Sequence, residues 1–216
     1  GGAGRVVLTG ANSYGGGTLV NAGATLQLGD GGTAGAITGN VATNGTLTLN
    51  RSDRLDLAGV ISGAGTLNQS GAGVTVLTGR NGPGAQFTGT AAVNAGTLAI
   101  NGTFGDTAGN AARLAVNAGG TLQGSGTIAG SVAVNGGTVS AGNSPGTLTV
   151  AGSYTLNPGS TSLFEFGSSG IVGGPSNDLI NVGGNLGLGG TLSLVSAAGA
   201  AAAPVSGAYR LFNYGG

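Results

Sequence analysis

Apolar and polar positions alternate in short runs along this chain, and glycines punctuate the runs. Thr46-Leu47-Thr48-Leu49 and Thr147-Leu148-Thr149-Val150 are representative. A period of two puts Leu47 and Leu49 on one face and the threonines on the other, as in a strand with one buried side. Thr, Val and Ile suit extended backbone. The Gly and Asn positions between runs accept the positive φ of tight corners. Nothing in the first 195 residues has convincing helical periodicity.

The runs repeat. Val20-Asn21-Ala22-Gly23-Ala24-Thr25-Leu26 returns as Val93-Asn94-Ala95-Gly96-Thr97-Leu98 and as Val116-Asn117-Ala118-Gly119-Gly120-Thr121-Leu122. Val134-Asn135-Gly136-Gly137-Thr138-Val139 is a further copy, and Thr43-Asn44-Gly45-Thr46-Leu47 a weaker one. A second unit, Gly2-Ala3-Gly4-Arg5-Val6-Val7-Leu8-Thr9-Gly10, matches Gly71-Ala72-Gly73-Val74-Thr75-Val76-Leu77-Thr78-Gly79 at an offset of 69. That distance fits about three layers of roughly 23 residues, a usual solenoid period.

Antiparallel sandwiches do not need near-identical units at this spacing. A parallel β-helix does, because equivalent strands of successive coils lie side by side. The Thr-Leu steps begin at 25, 46, 66, 97, 121 and 138, at intervals of 21, 20, 31, 24 and 17 residues. The long interval contains Arg80-Asn81-Gly82-Pro83-Gly84, which reads as a loop bulging from the stack. Inward Leu and Val then form ladders, each fully buried one contributing about 1.5–3 kcal/mol. Asn21, Asn44, Asn94, Asn117 and Asn135 are either an amide ladder at one corner or simple turn residues. The expected fold is all-β, a parallel β-helix with a distinct C-terminal capping region.

The pattern changes near residue 141. Gly142-Asn143-Ser144-Pro145-Gly146-Thr147-Leu148-Thr149-Val150 leads to Ser162-Leu163-Phe164-Glu165-Phe166, then Asn177-Asp178-Leu179-Ile180-Asn181-Val182, then Gly190-Thr191-Leu192. Strands lengthen and aromatics gather here. We divide the chain into a repeat region, residues 1–141, and terminal coils of the same solenoid, residues 142–216.

Composition narrows the function. Gly supplies 51 of 216 residues, about three times ordinary usage, without the strict period of collagen. Charged residues are 6% and net charge is zero, against 39% hydrophobic. A disordered chain carries more charge and fewer aliphatics. The absence of a basic patch argues against a nucleic-acid partner. Cys, His, Met and Trp are absent, so disulfides and ordinary zinc or haem ligation are excluded. No leader and no membrane-length apolar run is visible, and residue 1 falls inside a repeat, which reads as a segment of something longer.

Three motifs imitate chemistry. Gly142-Asn143-Ser144-Pro145-Gly146 has the form of a nucleophile elbow, but an elbow needs a helix and a histidine base. Gly173-Gly174-Pro175-Ser176-Asn177-Asp178-Leu179-Ile180 approaches one calcium-binding nonapeptide, whose sites need tandem copies; Asp178 reads as a turn cap. Asp30 lies 23 residues before Asp53, so the two carboxylates can stack on adjacent coils. With Asp56 they form a face able to hold calcium or cleave a glycan, or a solvated Arg–Asp loop. Thr-x-Thr runs suggest ice binding, but most strands break the pattern.

The Gly-Ala-Gly…Val-x-Leu-Thr-Gly and Val-Asn-Ala-Gly-Thr-Leu units resemble the strand repeats of autotransporter (type V secretion) passenger domains. The Gly142-to-Val150 series, Asn177-to-Val182 and Gly190-Thr191-Leu192 resemble the membrane-proximal end of such passengers. The resemblance implies a right-handed parallel β-helix, export through the periplasm and display on a Gram-negative cell surface. It implies as partners the protein's own C-terminal outer-membrane β-barrel and a ligand on a host or neighbouring cell. The expected function is a structural stalk for adhesion or for display of an effector region, with no catalytic residue, cofactor or metal in this segment. The alternative is a glycan-binding or polysaccharide-cleaving β-helix using Asp30, Asp53 and Asp56.

Overall fold

The computed structural model describes residues 3–82, 84–106, 113–197 and 206–215. Within them the alternating runs become 26 short strands, and no helix occurs. The strands stack in parallel from coil to coil. A parallel β-helix results, three faces around one elongated core.

The first face is a nine-stranded sheet running from Arg5–Leu8 to Leu186–Leu188. The second has seven strands, from Arg54–Leu57 to Thr191–Ser196. The third is split. Thr18–Val20, Val41–Thr43 and Ile61–Ser62 form it at the N-terminal end, and five strands from Thr103–Phe104 to Phe212–Tyr214 form it further on.

Register explains the repeats. Leu26, Leu47 and Leu67 stack on the first face. Leu98, Leu122 and Val139 stack on the second. All six point inward and are buried. Outward, Thr97, Thr121, Thr138, Thr161 and Thr191 form one column over five coils. The neighbouring outward positions are Ala99, Gln123, Ser140, Leu163 and Ser193, so the flat two-column threonine array needed for ice binding does not form.

One interval in the sequence has a different origin from the expected bulge. Thr66 pairs with Thr90 on the first face, a coil of 24 residues, whereas Thr97 lies on the second face. The 31-residue step is therefore one coil plus a change of face. The offset of 69 behaves likewise: Arg5–Leu8 is on the first face and its sequence match Val74–Leu77 is on the second. Each coil is built from three similar strand-and-turn steps, so one sequence unit serves at any corner.

The core changes character toward the C-terminus. Phe164 meets Phe212 edge-on at 5.2 Å, Phe166 lies 4.6 Å from Tyr209, and Tyr154 lies 5.8 Å from Phe212. The Tyr154 hydroxyl shares a 2.5 Å hydrogen bond with Ser162 inside the core. Burial pushes the Tyr154 phenol up to about 12, against the opposing effect of that bond. The end layers differ from the interior ones. Leu194 and Tyr214 occupy inward positions, paired with Phe164 and Val182, yet are 58% and 59% exposed. At the other end Val6, paired with Leu26, is 56% exposed.

Candidate functional site

Four asparagines leave the first face at one corner. Asn94 follows the strand Thr90–Val93, Asn117 and Asn135 close the next two strands, and Asn157 follows Tyr154–Leu156. Each is two residues beyond an outward position, so the side chains point out. The Asn117 amide donates to Asn94 Oδ1 at 2.7 Å and the Asn157 amide to Asn135 Oδ1 at 2.7 Å. The middle link, Asn135 to Asn117, is longer at 3.5 Å, which marks a weak bond. Asn157 was not singled out from the sequence. Its signal was position: like the others, it follows the last inward aliphatic residue of a first-face strand.

Asn21 and Asn44 lie elsewhere. They follow the third-face strands Thr18–Val20 and Val41–Thr43, which pair with each other. Asn44 Oδ1 accepts the Ala64 N–H at 3.3 Å, and the Asn21 carbonyl accepts the Ala24 N–H at 3.0 Å. The five asparagines thus divide between two corners.

The acidic residues have separate partners. Asp30 sits in the loop between Thr25–Leu28 and Ala36–Ile37, where Oδ1 accepts the Gly32 N–H at 3.3 Å. That loop rests on the next coil through Gly31 N–H to the Asn50 carbonyl and Ser52 N–H to the Gly32 carbonyl. Asp53 is held by both arms of Arg51, at 2.8 Å each. Those hydrogen bonds, assisted by the guanidinium charge, hold its carboxyl below the usual carboxylate range. Asp56 is held by Arg54 at 2.9 and 2.6 Å, which raises the Arg54 guanidinium further. The three carboxylates are therefore turned to three different partners. Among the described residues no group of three or more acidic side chains is placed to hold a metal ion.

The elbow-like motif is a turn between two strands, Thr138–Ala141 and Thr147–Val150. Gly142 and Gly124 exchange both main-chain hydrogen bonds, at 2.9 and 3.0 Å. Ser144 has φ of 72° and precedes a cis-proline. Such a φ costs a non-glycine residue on the order of 1–3 kcal/mol and persists only where surroundings enforce it. The far end of the turn is fastened by Asp178, which is fully buried. Its Oδ1 accepts the Gly146 N–H at 2.7 Å and its Oδ2 accepts the Glu165 N–H at 2.8 Å. Burial pushes its carboxyl up to about 6, opposed by those two bonds and assisted by the Glu165 charge. Asn177 beside it is equally occupied: Oδ1 accepts from Gly167 and Ser168, and Nδ2 donates to the carbonyls of Ser168 and Ile171. The nonapeptide-like stretch spends its polar groups on main chain.

Comparison with known proteins places this geometry. A family model described as passenger-associated-transport-repeat matches residues 1–28 and 67–100. The chain is 46% identical over 188 residues to the Adhesin BmaC autotransporter of Brucella suis biovar 1 (strain 1330), covering 85% of this chain. The chain belongs to the autotransporter passengers. It spans 5% of the length of that relative. No solved structure matches it. The two copies of the transport repeat sit one face apart: Thr25–Leu28 closes the first on face one, and Gly96–Ile100 closes the second on face two. An autotransporter passenger works on the cell surface of a Gram-negative bacterium, and the segment is a β-helical section of one.

Proposed function

We propose that this segment is a rigid spacer in an adhesin, holding adhesive or effector regions away from the membrane. In this reading residues 1–141 are repeat coils and residues 142–216 are the membrane-proximal coils, connected to the protein's own outer-membrane barrel. A host or neighbouring cell supplies the adhesive partner. The segment itself catalyses nothing: the only serine in an elbow-like motif stands in a turn between strands, and two of the three suspected carboxylates are committed to arginines.

The observation that supports the reading is the unbroken register of the first face over nine strands. Each coil contributes about 4.8 Å of length, and its energy comes from its neighbours. Such a rod transmits position and tolerates changes in coil number. The test is made in the full-length surface protein. Deleting residues 25–45, one coil by the Thr25–Thr46 register, keeps surface display and adhesion. Leu98→Asp, at a fully buried inward position, abolishes both. Loss of adhesion in a coil deletion that is still displayed and protease-resistant overturns the spacer reading.

A further inference from the structure

A recess opens on the second face beside the turn at residues 142–146, lined by Arg54, Asn101, Gln123, Ser140, Asn143 and Ser144 together with Gly142. Its volume is about 410 Å³. Gln123 and Ser140 are adjacent in register, outward-facing and half-buried. Among the described residues the side chains of Gln123, Ser140 and Ser144 make no hydrogen bond, so donors and acceptors face the recess unpaired. Asn143 spends its amide N–H groups on Asn101 Oδ1 at 3.0 Å and Ser125 Oγ at 3.5 Å, which leaves its own Oδ1 free. Arg54 contributes Nη1, because Nε and Nη2 are taken by Asp56.

The wall formed by residues 142–146 is preorganised. Gly142 is tied to Gly124 by two main-chain bonds, Gly146 to buried Asp178, and Asn143 to Asn101 two coils away. A Cβ at Gly142 would collide with the backbone of Gly146, so the turn closes tightly on itself. Rigid polar groups that are already placed bind a ligand at smaller entropic cost.

We propose that this recess is a binding subsite for a neutral, hydroxyl-rich saccharide unit. The chemistry selects that class. The lining is amide and hydroxyl, each group able to donate or accept. The one guanidinium is already neutralised by Asp56, so no net charge calls for an anion. An extended peptide is recognised through main-chain pairing at a free sheet edge, and the recess lies on a face whose backbone groups are paired within the stack. None of Asp30, Asp53 and Asp56 lines the recess, and Asp56 borders it only through Arg54; the proposal does not depend on the spacer reading.

The test uses saturation-transfer NMR on the intact chain with cellotriose, chitotriose and mannotriose as neutral probes. Sialyllactose is the acidic probe and triglutamate the peptide probe. Each is supplied at about 10 mM, the weak end of specific binding. At least one neutral trisaccharide shows transfer, and affinity falls at least about tenfold, ~1.4 kcal/mol, in the double variant Gln123→Ala/Ser140→Ala. Thr25→Ala, on the first face, leaves the signal unchanged. Both variants keep the parent's melting transition. The proposal is overturned if no neutral probe binds, if binding survives the double variant, or if only sialyllactose or triglutamate binds. None of these outcomes bears on surface display of the coil deletion, so the two readings fail separately.

Discussion

Asp178 reaches across the stack to Gly146, its Oδ1 accepting the Gly146 N–H at 2.7 Å from a fully buried position. Its other oxygen holds Glu165, so one carboxylate fastens the 142–146 turn to the strand of the following coil. Burying that charge has a pH signature. The carboxyl ordinarily titrates at 3.8 and is raised to about 6 in the fold. Between those values the folded state holds the extra proton, so stability falls as pH rises. The contribution is fully present below 3.8 and lost above about 6. We expect the melting temperature to be higher at pH 4.5 than at pH 7.5, and Asp178→Asn to flatten that difference. Asp53, whose carboxyl is lowered, acts in the opposite sense but only below 3.8. An unchanged pH slope in Asp178→Asn would refute the assignment.

Glycine is abundant because coils touch at their corners. A Cβ at Gly89 would fall within bonding distance of the Gly65 carbonyl oxygen one coil above, and that oxygen is main chain and cannot move aside. Gly89→Ala is expected to cost about 1–3 kcal/mol, the usual range for overpacking. Gly10→Ala is the control, since nothing lies within 4 Å of its Cβ position. Equal denaturant midpoints for the two variants would show that the corner spacing relaxes freely.

The asparagine ladder is exposed, and its effect should be small. Asn117 donates to Asn94 and accepts from Asn135, so Asn117→Ala removes two side-chain bonds. Net values for solvated hydrogen bonds are about 0.5–1.5 kcal/mol each, and the longer bond lies at or below the lower end. We expect a loss of roughly 1 kcal/mol, with Asn44→Ala behaving independently because it sits at a different corner. A double variant that is strongly non-additive would contradict the division into two corners.

The alternating runs, the repeat and the C-terminal change of composition were legible in the sequence because strand alternation and glycine corners are local properties. The face on which each unit lies was not. Thr66 and Thr97 both open a Thr-Leu step, yet one is on the first face and the other on the second. Every corner makes the same local demand, and only coil-to-coil register distinguishes them. The site was less legible for a related reason. Asp30 and Asp53 have coil spacing, but Arg51 stands two residues before Asp53 and captures it. Gln123 and Ser140 carried no motif at all; only their register brings them to one recess.

Among the described residues, one buried side-chain hydroxyl lacks a partner. Thr43 faces inward at the end of Val41–Thr43 and is completely buried, and its hydroxyl has no hydrogen-bond partner. A buried unpaired hydroxyl costs on the order of 1–3 kcal/mol. Thr43→Val keeps the shape and removes the polar group, so we expect stabilisation of about 1 kcal/mol or more, read as a higher denaturant midpoint. A lower midpoint would mean that the hydroxyl finds a partner in solution.

The C-terminal coils differ from the rest in the number of their aromatic contacts: among the described residues the repeat coils hold one stacked pair, Phe87 and Phe104 at 4.9 Å, and the terminal coils hold four. Phe164, Phe166, Tyr209 and Phe212 bring the last two coils together, and Tyr154 joins them through Phe212. Apart from that pair, the repeat coils depend on stacks of Leu, Val and Ile. A solenoid propagates from whichever repeat is stable alone, and aromatic pairs add about 0.5–1.5 kcal/mol each beyond area burial. The terminal coils are therefore the expected nucleus, onto which upstream coils add one layer at a time. Deleting residues 142–216 should abolish cooperative folding of residues 1–141, while deleting residues 3–45 should leave a folded remainder with a lower midpoint. Far-UV circular dichroism and thermal melting of the two truncations decide the matter. A retained β signal and a cooperative melt in residues 1–141 alone would place the nucleus in the repeats and remove any special folding role from the terminal coils.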